Sequence, residues 1–223
     1  MCDTLSAIES YIQTTQKDET TQGTSFKRNP LKTTGCQCSG SCRESTKILK
    51  GIAKIVVQFT KPRDDSSCQD LQNAEYLGFC EFSKIKNNQK KLQEMQIDLL
   101  SLPKYECVYQ FVRELFRKSR TTKEVAVLTL ILLDRFREIN GWELRSTTWR
   151  ILFITAHRIA AKFEGQCYLA NDQLARLYPL FSEDEFGELE MVFFRRINFH
   201  CSVGIEEFHD YFRFLMGAQR NAQ

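Results

Sequence analysis

Two stretches of this chain are apolar on nearly every side at helical length. Val125–Phe136 reads Val-Ala-Val-Leu-Thr-Leu-Ile-Leu-Leu-Asp-Arg-Phe, and Trp149–Ala161 is apolar or small at almost every position. A helix without a polar face is a buried one, so the pattern predicts a central pair at 122–138 and 147–163. Segments with one apolar side surround it. Tyr105, Val108, Phe111, Val112, Leu115 and Phe116 repeat at helical spacing. Asn171-Asp172 opens a short helix that Pro179 stops, and Ser182 with Glu185 forms a capping box before Phe186, Leu189, Phe193 and Ile197. A last helix is expected over 204–216. Ala156, Ala160 and Ala161 leave room for close helix contacts. No strand pattern competes. The expected fold class is all-α: a five-helix bundle between 103 and 198, with flanking N- and C-terminal helices.

Upstream the pattern weakens. Residues 1–47 are rich in Thr, Ser, Gln, Lys and Gly and cannot bury enough surface to offset ordering entropy. Ile48–Val57 is an apolar island with lysines interleaved, a short helix or strand that could dock on the domain. Residues 84–100 carry Leu92, Met95, Leu99 and Leu100 on a polar background, as an amphipathic helix would. The expected division is a mostly disordered region over 1–84 holding the island at 48–57, a folded domain over 85–216, and a tail over 217–223.

Composition narrows the function. The chain has 223 residues, 31 basic against 28 acidic, for a net charge of +3. That balance is weak support for a nucleic-acid partner, and none is expected. No apolar run approaches the roughly 18 residues of a membrane span, so no stable membrane insertion is expected. The N-terminus shows no basic-then-apolar secretory pattern. Nine cysteines at mostly irregular spacing read as reduced thiols in a cytoplasmic or nuclear protein. Cys36-x-Cys38-x3-Cys42 is the one cluster; it lacks a fourth zinc ligand nearby and is read as a loop. No phosphate-binding, nucleophile-elbow or zinc-protease motif is present. His157, on a buried helix, reads as a satisfied core histidine, and the acids at 183–190 as helix-dipole partners. No catalytic residue, metal or cofactor is expected.

One stretch resists a purely structural account. The buried helix ends Ala160-Ala161-Lys162-Phe163-Glu164-Gly165, pressing a base, an aromatic ring and an acid together. This is either a plain helix end, with Phe163 tucked back into the core, or a binding surface, where an aromatic anchor sits beside orienting charges.

Val125–Phe136 resembles the second cyclin-box helix, which typically ends in Asp-Arg-Phe or a close variant. Trp149–Glu164 resembles the third, Gly187-Glu188-Leu189-Glu190 an element of the fifth, and Asn198–Val203 the exit that follows. The likeness covers about 103–216 in order, and Thr147-Thr148-Trp149 is most like the single-box cyclin Y and Pho80-like (PCL) group. It implies a non-catalytic regulatory subunit of a cyclin-dependent protein kinase, acting in the cell cycle or other signalling. A protein kinase works when its C-helix glutamate pairs with the β3 lysine, and a cyclin box supplies a rigid surface against that helix. Carried over, the kinase-binding residues are Lys162, Phe163 and Glu164, with Arg120 in an ungapped alignment.

Gly165 stands where many cyclins have a second acid, which leaves Glu164 for the usual charge pair. Lys104–Val108 reads Lys-Tyr-Glu-Cys-Val and lacks the substrate-docking patch of mitotic cyclins. The alternative is a cyclin-fold interaction module of a transcription or other complex that binds no kinase. A basic stripe on the domain would mark it, whereas the bases of 101–223 read as paired, as in Arg135/Glu138 and Arg176/Glu183. Ser45, Thr46, Thr33 and Thr34 offer phosphosites for a phospho-dependent adaptor.

Overall fold

The computed structural model describes residues 41–61, 78–79, 101–141, 143–166 and 168–217. They form seven helices: α1 (Ser41–Phe59), α2 (Tyr105–Ser119), α3 (Lys123–Asn140), α4 (Trp149–Phe163), α5 (Asn171–Leu177), α6 (Glu183–Arg196) and α7 (Ile205–Leu215). Two short strands, β1 (Thr60–Lys61) and β2 (Leu144–Arg145), pair in parallel, Thr60 with Leu144 and Lys61 with Arg145. The domain is all-α, as the periodicity predicts.

α3 and α4 share the most extensive contact between helices of the described residues. Every residue from Trp149 to Ala161 is buried, and so is α3 from Val125 to Asp134. Rings of the surrounding helices seal the pair: Phe193 stacks on Phe136 at 4.4 Å, and Phe111 meets Trp149 edge-on at 5.1 Å. The Ser182 box closes as its residues dictate, with Ser182 N–H donating to Glu185 Oε2 and Glu185 N–H to Ser182 Oγ.

The division at residue 84 does not follow the packing. The apolar island is the centre of α1, and Ile48, Ile52, Ile55 and Val56 are buried in the common core. They recur at i, i+4, i+7 and i+8, while the lysines occupy the opposite face. Burying such side chains is worth about 1.5–3 kcal/mol each, a large share of the roughly 5–15 kcal/mol that holds a domain together. α1 packs on α2, α3 and α7. A Cβ at Gly51 would stand 2.9 Å from Leu215 Cδ2, so glycine permits the close approach to α7. The expected helix at 84–100 lies outside the described residues, and so do residues 1–40 of the stretch expected to be disordered over 1–47; its last part, from Ser41, is helical.

Charges stitch the outer helices to α3. Arg135 donates to the carbonyls of His200 and Ser202 and pairs with Glu207 of α7 at 2.9 Å. Its long-range partner is thus Glu207, and Arg176 pairs with Asp172 on its own helix; the pairs read from sequence missed both. Tyr211 of α7 donates to Asp134 Oδ2 at 2.7 Å, and Arg137 pairs with Asp134 Oδ1 at 2.8 Å while lying over the Phe59 ring. Burial raises the Asp134 carboxyl above the ordinary carboxylate range, against the lowering by Tyr211 and Arg137.

Candidate functional site

α4 ends in a Schellman turn. Gln166 N–H donates to Ala161 O, and Gly165 N–H donates to Lys162 O, with Gly165 at φ +63. The left-handed residue that satisfies these carbonyls is best a glycine. This explains why the second acid is missing: the backbone takes the position.

The turn sets three side chains apart. Phe163 is 53% exposed, so it does not tuck into the core. Glu164 is exposed and makes no ion pair with a described residue. Lys162 runs along the domain to Glu190 of α6, Nζ to Oε1 at 2.5 Å, with its side chain 32% exposed. Its ammonium also lies 5.0 Å from the Tyr168 ring.

Glu190 was missed in the sequence, where it counted among the dipole acids of α6. It lies in the second half of that helix, and its side chain is buried between two bases, Lys162 and Arg158. Arg158 Nε stands 3.2 Å from Glu190 Oε2, an ion pair without hydrogen-bond alignment. The available signal was an acid beside Leu189, on the apolar stripe, where an unpaired charge is costly.

Arg120 lies on the turn between α2 and α3. It caps α2 in the left-handed region, φ 54, and is exposed. Two residues on, Thr122 is clasped by Gln166: its N–H donates to Gln166 Oε1 at 3.2 Å, and Gln166 Nε2 donates to Thr122 Oγ1 at 2.9 Å. The Thr122 hydroxyl thus holds the end of α4 instead of capping α3. The clasp places the α2–α3 turn, with Arg120, beside the turn that carries Lys162, Phe163 and Glu164.

His157 stands apart from this surface. It is buried, with Nε2 2.9 Å from Ser119 Oγ and Nδ1 3.4 Å from Thr129 Oγ1. Burial lowers its pKa to about 3. A neutral imidazole between two hydroxyls in the core is a packing element. Among the described residues no group of His, Cys, Asp and Glu could hold a metal, and no helix is long and apolar enough to cross a membrane. The side chains of Cys36, Cys38 and Cys42 lie outside the described part.

No solved structure gives a significant match. The sequence model of the family described as "Cyclin, N-terminal domain" matches residues 79–202, more than half of the chain. The matched span covers α2 to α6 and, with them, Arg120, Lys162–Glu164 and Glu190. Since α2, α5 and α6 surround the buried α3–α4 pair and the five follow in the order the resemblance requires, the chain belongs to the cyclin family.

Proposed function

We propose that this chain binds a cyclin-dependent protein kinase and activates it, setting the end of α4 and the α2–α3 turn against the kinase's C-helix. The observation that carries the reading is Phe163: a phenylalanine half in solvent at the end of a helix buried from Trp149 to Ala161, flanked by a base and an acid. An exposed aromatic beside orienting charges is the composition of an interface anchor. The surface is also rigid, held by the Schellman turn, the Thr122–Gln166 clasp and the Lys162–Glu190 pair.

Rigidity matters because the kinase must be shifted between two states. A surface that fits the C-helix only in its paired position favours that position by its differential affinity. Phe163 supplies apolar area, Lys162 and Arg120 meet acidic groups of the kinase, and Glu164 meets a basic one. The protein itself does no chemistry in this role. Within the family, Thr147-Thr148-Trp149 supports the cyclin Y and Pho80-like group; these residues are buried, so that kinship rests on core packing.

Co-purification from native cells tests the reading. Wild-type protein should bring down a kinase, and the double variant Arg120→Glu/Phe163→Ser should lose it, with a drop in affinity of at least roughly thirtyfold. A variant that retains both kinase and kinase activity would place the interface elsewhere.

A further inference from the structure

Outside the matched span, α1 carries a feature that the kinase surface does not use. Among its residues whose side chains are described, every exposed one is basic: Arg43, Lys47, Lys50 and Lys54. Their spacing of four, three and four places them on one line along the helix crest. With a rise of about 1.5 Å per residue the row is roughly 16 Å long. None of the four forms an ion pair or hydrogen bond with a described residue, although most other bases of the domain are paired: Lys61 with Glu143, Lys123 with Glu44, Arg117 and Lys118 with Glu114, Arg213 with Asp210. The helix's own acid, Glu44, is turned aside to Lys123.

We propose that the α1 crest is an electrostatic docking surface for an anionic lipid bilayer. The fit lies in charge and shape. The opposite face of α1 is locked in the core by Ile48, Ile52 and Ile55, so the helix presents only its cationic ridge and inserts nothing apolar. A convex ridge meets a plane along its whole length, and fluid headgroups gather under fixed cations. A nucleic acid could meet such a row through its phosphates alone, but base recognition would need more: a groove to follow the backbone and exposed aromatic or amide groups for the bases. The crest offers neither, and the net charge of the chain is only +3.

Each base near an anionic leaflet contributes roughly fivefold to partitioning, so the row gives weak, reversible, salt-sensitive adsorption. Sedimentation of the full chain with phosphatidylcholine vesicles, with and without about one third phosphatidylserine, tests it. Binding is expected only with phosphatidylserine, and lost near 1 M salt, where the screening length falls to about 3 Å. Lys47→Glu/Lys54→Glu should cut binding at least tenfold with an unchanged melting curve; Lys47→Gln/Lys50→Gln/Lys54→Gln gives the same answer should the reversal disturb folding. Kinase co-purification should survive both variants. Equal binding to uncharged vesicles, unchanged binding by the variants, or tighter binding to single- or double-stranded DNA than to the anionic vesicles at the same salt would overturn the proposal.

Discussion

Lys162 and Glu190 meet across α4 and α6 with Nζ 2.5 Å from Oε1, although 28 residues separate them in the chain. The two ends of this pair are unequal. The Glu190 side chain is 10% exposed and also faces the buried Arg158, whereas the Lys162 side chain is 32% exposed. Glu190→Gln should therefore leave Arg158 without its counter-charge and cost about 3 kcal/mol, while Lys162→Ala should cost less than about 1 kcal/mol. At roughly 2–4 °C per kcal/mol for a domain of this size, differential scanning calorimetry separates the two. Reversal at Lys162 is not neutral for the fold, because Lys162→Glu would set two carboxylates against each other.

Stability should fall with acid through His157. Its folded pKa, lowered to about 3 by burial, lies below the ordinary 6.5. The unfolded chain thus binds the proton first. The contribution is complete above about pH 6.5 and is lost as pH drops towards the folded value, by up to about 1.4 kcal/mol per pH unit. Urea denaturation at pH 7 and pH 5 should show a clear loss in wild type and a smaller one in His157→Gln. Equal losses would assign the slope to other groups.

Gly165→Glu restores the acid that many cyclins have, at a position that is exposed. The Schellman turn opposes it. Gly165 sits at φ +63 with open space around it, so the cost is conformational, about 1–2 kcal/mol. A melting temperature lowered by about 2–8 °C is expected, with Gly165→Ala lowered similarly. An unchanged value in both would mean that the turn relaxes.

A chain beginning at Lys84 should not fold cooperatively. It lacks Ile48, Ile52, Ile55 and Val56 and exposes the faces of α2, α3 and α7 on which α1 packs. A chain beginning at Gly40 keeps them and should give strong helical circular dichroism with one sharp transition. Within the full chain, Ile52→Ala should cost about 2–5 kcal/mol. Cooperative melting of the shorter chain would show that α1 is an accessory.

The elements that the sequence determines are those whose signals are local. The apolar repeat of each helix, the Ser182–Glu185 box and the glycine after α4 act over one or two turns, so they are legible in order. The all-round apolarity of α3 and α4 likewise places them at the centre, because no other packing hides every face. The stretch Lys162-Phe163-Glu164 also stands out locally as a charged, aromatic end to an apolar helix.

Tertiary structure decided the rest, and it did so through pairs far apart in the chain. The lysines of α1 make its sequence look half-polar, and only the surface formed by α2, α3 and α7 shows that its apolar stripe is core. Glu190 looks like its neighbouring acids until α4 brings Arg158 and Lys162 to it. Thr122, two residues after Arg120, meets Gln166 beyond α4 in a clasp spanning 44 residues. Arg135 finds Glu207 across 72. Such contacts leave no periodic trace, because the energy of a charge pair depends on distance and burial in space, which neighbouring residues along the chain do not encode.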